Sequence, residues 1–386
     1  MTSVQRRAAL LLASILVVGL ATRVIAPVHW AGGGKPSDTP VPIDADAIER
    51  ALERGEPIAL PLAQGLRFLD LEPVEIYGTG ALLQVETGAG DETYPLKTGS
   101  YHGSFTSALG NSGIAALTVH PPFMSVFLRF PERVEWIRTE YVDGSAVYYA
   151  GELEVPRKDR EMPARAPGYG TGGDPEVLAH GTFVCGTNPV DNEDLHAHAD
   201  VDYFWLKGYS VANVVNAIEA DINRLNVNIY RDEVCIQFRI AGISVHNNPF
   251  NEVLTSTNIL TLINQFANHF QAAHDPFVSF DIAHLFTGKN LNGGDFGFGQ
   301  LGDRYALTQQ IAEGGYTAND YDRSIIEAHE IGHNYFASHL AAAHHCVWTT
   351  CWKTIMQQVL FDLPMLDDFS DLNTAIIRNT SPKANQ

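Results

Sequence analysis

The stretch His329-Glu330-Ile331-Gly332-His333-Asn334-Tyr335-Phe336-Ala337-Ser338-His339 constrains this chain more than any other. Residues four apart share a face only on a helix, so the rings of His329 and His333 converge if residues 321–336 are helical. Two neutral imidazoles at that spacing suit a zinc ion, with Glu330 beside them and free of any need to ligate. His339 follows six residues later, where a turn after the helix can bring it round as the third ligand. Three protein ligands leave the fourth position for water, the arrangement of a catalytic rather than a structural zinc. With 15 histidines in 386 residues, chance supplies the first two histidines and the acid roughly 0.03 times.

The rest of the chain divides by pattern. Residues 1–26 read as an export signal: Arg6 and Arg7, then an uncharged apolar run from Ala8 to Ala21, then small residues at Gly19-Leu20-Ala21. The run is shorter than the roughly 20 residues of a spanning helix, so cleavage is expected in preference to an uncleaved anchor, and no stable span remains afterwards. Residues 27–59 look like a tether. Residues 60–154 carry short alternating runs, such as Ala81–Val85, Ile114–Val119, Ser125–Phe130 and Val134–Ile137, separated by Gly, Pro, Asp and Asn; they predict a β-rich domain. Residues 155–194 form a linker that begins Val155-Pro156-Arg157-Lys158-Asp159-Arg160, a basic stretch suited to proteolytic processing.

From 195 to 386 strands and helices alternate, which predicts an α/β (α+β) domain with a mixed twisted sheet. Asp200–Trp205 reads as a strand. Val211, Val214, Val215, Ile218, Ile222, Leu225 and Ile229 mark one face of a long helix. Val234–Ile240 alternate as a strand, Ile259–Phe266 start a second helix, and Phe277–Phe286 form a further strand.

Charge narrows the partners. Lys plus Arg number 25 against 45 Asp plus Glu, a net charge of −20. A surface that negative repels phosphate backbones, so no nucleic-acid partner is expected. Four cysteines are too few for a disulfide-built scaffold.

The spacing HExxHxxxxxH resembles that of the metzincin zinc endopeptidases, and His-Glu-Ile-Gly-His-Asn resembles their reprolysin (adamalysin, or ADAM-like) branch. Thr354-Ile355-Met356-Gln357 is similar to the family's Met-turn, with Met356 as the apolar floor under the metal. Asp281-Ile282-Ala283-His284-Leu285-Phe286-Thr287-Gly288 resembles the edge strand that pairs with extended substrate, and Gly293–Gly299 follows it. The region 60–154 is similar in composition to a reprolysin propeptide. Two departures stand out. Phe336 occupies the position where the family has Gly, so the turn there is expected to differ locally. Leu340 stands where an Asp often follows the third histidine. His344 and His345 are fallback ligands should His339 fail.

The resemblance implies a secreted proenzyme that hydrolyses internal peptide bonds of protein or peptide substrates. One Zn²⁺ would be held by His329, His333 and His339, with Glu330 as general base. A structural Ca²⁺ is neither required nor excluded. Cys346 and Cys351, five apart, read as a local disulfide. Cys185 has two readings: a thiolate that blocks the zinc's open position and keeps the precursor latent, or a disulfide partner of Cys235. The alternative function is a catalytically inactive metzincin-like module that binds extracellular protein, supported in the sequence by Phe336 alone.

Overall fold

A computed structural model describes residues 39–62, 64–107, 110–130, 133–154, 190–273, 280–292, 296–311, 320–337, 345–347, 350–352 and 377. The chain opens with β1 (Thr39–Val41), helix α1 (Ala45–Glu53), β2 (Ile58–Leu62), β3 (Gly65–Pro73), β4 (Tyr77–Thr87) and β5 (Gly90–Pro95). It continues through β6 (Ser100–Ser107), β7 (Ser112–His120), β8 (Phe123–Arg129), β9 (Arg133–Val142) and β10 (Ser145–Glu154). Part of the expected tether is therefore structured. Asp44 caps α1 by accepting from the Ala47 N–H, and Ala45 and Leu52 bury its inner face.

The C-terminal half holds β11 (Asp191–Ala199), α2 (Val201–Leu206), α3 (Val211–Leu225), a π-helical turn (Asn226–Tyr230) and α4 (Arg231–Val234). Then come β12 (Ile236–His246), α5 (Ile259–Ala273), β13 (Ile282–Thr287), β14 (Gly297–Gly299), β15 (Tyr305–Gln309), α6 (Asp320–Asn334), β16 (His345–Val347) and β17 (Thr350–Trp352). Asp200–Trp205, expected as a strand, is instead the start of α2. The Asp200 carboxylate accepts from the Tyr203 N–H, and an N-cap of that kind terminates β11 and begins a helix. The other expected elements overlap α3, β12, α5, β13 and α6, although α3 gives way to the π turn at Asn226, Val234 closes α4 instead of opening β12, and residues 277–279 of the expected strand lie outside the described residues.

Two large sheets organise these elements. One is antiparallel with order β1-β10-β9-β8-β7-β6-β3-β2. The other is mixed with order β14-β15-β13-β11-β12-β4-β5, its β15, β13, β11, β12 and β4 running parallel and its two outer strands antiparallel. The strands β4 and β5 come from residues 77–95, inside the region read as propeptide-like, yet they extend the sheet of the C-terminal half. Sequence regions and sheets thus do not coincide.

Helix α3 lies between the sheets, against β7 and β8 on one side and β12 on the other. Both of its sides must be satisfied, and its buried residues accordingly include Glu219, Asp221, Asn223 and Arg224 as well as Val214, Ile218 and Ile222. The Glu219 carboxylate accepts from Tyr77 Oη at 2.7 Å, the Gly99 N–H at 2.8 Å, Ser100 Oγ at 2.7 Å and His120 Nε2 at 2.8 Å. Four donors from the N-terminal half offset the cost of burying this charge. The core between the sheets joins Phe127 and Trp136 to Val214, Ile218, Ile240, Ile331 and Tyr335. A separate core packs α5 against β13 and β15 through Phe266, Phe270, Leu285 and Leu307. No helix among the described residues is long and apolar enough to cross a membrane.

Candidate metal centre

Helix α6 delivers His329, Glu330 and His333 to one place. Their ligand atoms lie within 4.8 Å of one another, and the two imidazole rings stand 4.8 Å apart, nearly perpendicular. His329 and Glu330 are buried, and His333 is half-buried. Core packing anchors the helix: Ile325, Ala328 and Ile331 are buried, and Tyr230 Oη donates to the Ala328 carbonyl at 2.9 Å.

The end of α6 sets the chemistry of His333. The Ala337 N–H donates to the Gly332 carbonyl at 3.0 Å and the Phe336 N–H to the His333 carbonyl at 2.9 Å. This pair of bonds is a Schellman closure, with Phe336 as the left-handed residue at φ 64°. The local difference expected at Phe336 is absent: the chain takes the glycine-like conformation despite the side chain. The closure overrides the intrinsic preference, and the ring, 52% exposed, lies over Gly302. The turn carries the Ala337 carbonyl to 2.8 Å from His333 Nδ1. A carbonyl only accepts, so Nδ1 holds the proton and Nε2 keeps its lone pair, the tautomer a metal ligand needs. Asn334 Nδ2 donates to the Tyr305 carbonyl at 3.0 Å, and the Gly302 N–H donates to the His333 carbonyl at 2.9 Å. These two bonds pin the helix end to β15 and the loop before it.

The donor set fits zinc: two imidazoles on one helix face, one with its tautomer fixed, and a carboxylate alongside. The expected third ligand His339, the fallback His344 and the Met-turn residue Met356 lie outside the described residues, as does Cys185. The fallback His345 opens β16, and Cys346 and Cys351 are paired positions in the β16–β17 hairpin. Cys235 is disulfide-bonded.

The expected substrate edge, Ala283 to Gly288, is a correction. Ala283–Thr287 belong to β13, which pairs with β11 on one side and β15 on the other, so no backbone edge is open there. The run Ile282–Thr287 is buried throughout and does not alternate, the mark of a parallel strand covered on both faces. His284 donates to or accepts from Thr308 Oγ1 at 2.8 Å, and burial pushes its pKa down to about 3, so it is a neutral core residue. Gly288 sits against the first turn of α2.

The strand that ends the sheet beside α6 is β14, in the glycine-rich stretch that follows. A Cβ at Gly297 would stand 2.6 Å from Glu330 Cγ, and one at Gly299 2.0 Å from the Glu330 backbone oxygen. Only glycine admits so close an approach of strand to helix. The sequence held that signal in Gly297-Phe298-Gly299, but nothing in it said which element the glycines face.

The mixed α/β fold is compatible with a metallopeptidase domain, and the cluster on α6 is a candidate metal centre. Residues 193–370 match the reprolysin model of metallo-peptidase family M12, so this segment of the chain is similar to reprolysin-like metzincins. No curated protein matches the sequence. Among solved structures, one titled "Structure of a chaperone-substrate complex" is similar at 12% identity and a TM-score of 0.38, covering 72% of this chain and 44% of that one. The chain thus spans less than half of that protein, and a likeness this weak carries no argument.

Proposed function

We propose that the protein is an exported zinc-dependent endopeptidase that hydrolyses internal peptide bonds of protein or peptide substrates. The observation that carries this reading is the clustering of His329, Glu330 and His333 with His333 Nδ1 tied to the Ala337 carbonyl. His329 and His333 would hold the ion, with His339 as third ligand. When bound, zinc supplies a Lewis acid for a water and the scissile carbonyl. Glu330 takes the attacking water's proton and passes it to the leaving amine. The tight packing of Gly297 and Gly299 fixes Glu330 while leaving β14 as the edge on which an extended substrate adds a strand.

The accommodation of Phe336 supports this reading over an inactive binding module, because Phe336 was the sequence feature favouring the latter. The disulfide at Cys235 supports export to an oxidising compartment. It also favours Cys185 as a disulfide partner over a thiol switch. The Asp191 N–H donates to the Cys235 carbonyl at 2.8 Å, which brings the chain six residues after Cys185 beside Cys235. Cys346 and Cys351 are register partners in the β16–β17 hairpin, which supports a bridge of their own in this scheme.

The test is digestion of a peptide library by the purified protein beside its Glu330→Ala variant, read by mass spectrometry. Cleavage seen only with the unsubstituted protein, and abolished by a chelator, is expected. Absence of cleavage after proteolytic nicking near Arg160 overturns the proposal.

A further inference from the structure

A second constellation lies away from the helix α6 site. Glu86 on β4, His198 on β11, His246 on β12 and His269 on α5 bring one ligand atom each within 4.8 Å of one another. The topology explains the convergence. In the parallel register His246 is opposite Glu86, and His198 is opposite Ser244, two residues before His246. Alternation then puts His198, His246 and Glu86 on one face of the sheet, and it is the face α5 covers. His269 reaches the group from that helix, with its ring 5.5 Å from that of His198 and 5.1 Å from that of His246.

The geometry is close to that of a four-ligand cage. Zinc–ligand bonds of about 2.0–2.1 Å at tetrahedral angles put neighbouring ligand atoms about 3.3 Å apart. Here His246 Nε2 stands 2.9 Å and His269 Nε2 3.5 Å from the same oxygen of Glu86, Oε2. His198 is fully buried, with Phe266 and Phe270 against its ring, while the Glu86 and His269 side chains are each 17% exposed. The far nitrogen of His246, Nδ1, lies 3.6 Å from Glu252 Oε1. That carboxylate is itself fixed by the Val201 N–H at 2.8 Å and the Leu254 N–H at 2.6 Å. A carboxylate behind a histidine is the arrangement that orients metal-binding imidazoles and raises their basicity. A divalent cation would also offset the charge of Glu86 in a mostly buried place, with Glu252 on the far side of His246.

We infer that Glu86, His198, His246 and His269 bind a structural zinc ion, separate from the site on α6. Three imidazoles and a carboxylate suit zinc, and four protein ligands close the coordination sphere, so this ion does no chemistry. Its role is mechanical. Glu86 lies outside the segment 193–370, whereas the three histidines lie within it. The ion therefore staples β4, from the N-terminal half, to the reprolysin-like segment and to α5.

Metal content tests this on the full chain. Zinc is measured by mass spectrometry in the unsubstituted protein, in H329A/H333A, in H198A/H269A and in the fourfold variant. The expected contents are two, one, one and no equivalents. If the unsubstituted protein holds one equivalent and H329A/H333A holds none, the inference fails, whatever the protein's peptidase activity. Should H198A/H269A fail to fold, H329A/H333A alone decides. Its zinc should exchange for cobalt with the visible absorption of a tetrahedral centre, and chelation should lower its Tm, restored by adding zinc. A Tm indifferent to both chelator and zinc, with no cobalt spectrum, overturns the assignment.

Discussion

Phe336 offers a sharp check on how the site is built. It holds φ 64° at the end of α6, and the turn it makes carries the carbonyl that fixes the His333 tautomer. An L-residue in that conformation costs about 1–2 kcal/mol, which glycine escapes. The pair Phe336→Ala and Phe336→Gly isolates this cost, because both lose the same ring from over Gly302. Alanine's smaller unfolded-state entropy works the other way by about 0.4–1 kcal/mol. The left-handed cost should win, leaving the glycine variant the more stable by about 0.5–1 kcal/mol. In a helix interior the order reverses, with alanine favoured by about 1 kcal/mol. The assay is urea denaturation of both variants followed by tryptophan fluorescence. With a slope of about 2–3 kcal/mol per molar, the midpoints should differ by roughly 0.2–0.5 M in favour of glycine. Equal midpoints, or a more stable alanine variant, would refute the claim that a left-handed closure positions Ala337. Both variants should keep their zinc.

Further outcomes follow from the same geometry. Glu330→Ala should retain zinc and lose about 100-fold to 10,000-fold in turnover, the range for a general base; a loss of metal instead would make Glu330 a ligand. Gly299→Ala should destabilise by several kcal/mol, since its Cβ meets backbone 2.0 Å away that cannot swing aside. Gly297→Ala, which meets the Glu330 side chain, should lower kcat more than Tm. His102 gives a pH signature. Burial, then the neighbouring Arg231 charge, lowers its pKa from 6.5 to about 4, although its bond to Asn223 works the other way. The unfolded chain therefore takes up the proton first. The stabilisation is complete above pH 6.5 and is lost as pH falls toward 4, on the order of 3 kcal/mol at the limit. His102→Gln should flatten the fall in Tm across that window; an unchanged slope would assign it to other groups.

Much of the C-terminal half was legible in the sequence because burial on one face leaves a period. The spacing of Val214, Ile218 and Ile222 marks α3, and His329 to His333 marks the candidate metal-binding face of α6. The strand alternations at 81–85, 114–119 and 134–137 fall inside β4, β7 and β9, and that at 125–130 falls inside β8 but for Phe130. The misreading of β13 as an edge has a physical reason. An unbroken buried run fits a strand covered on both faces, but its neighbours in the sheet depend on residues far along the chain. Helix α2 was missed, and a strand expected in its place, because Asp200 works as a cap through a local hydrogen bond that hydrophobic periodicity does not record.

By itself the sequence determined the helix with its two histidines and acid, since four-residue spacing is a property of local geometry. Only the tertiary structure decided that β4 and β5 join the C-terminal sheet, that β14 is the strand facing Glu330, and that Glu86, His198, His246 and His269 meet. Those four residues are spread over 184 positions, the difference between 269 and 86 plus one. Their convergence depends on parallel strand register and on α5 packing across the sheet, and register is fixed by long-range burial rather than by any local pattern.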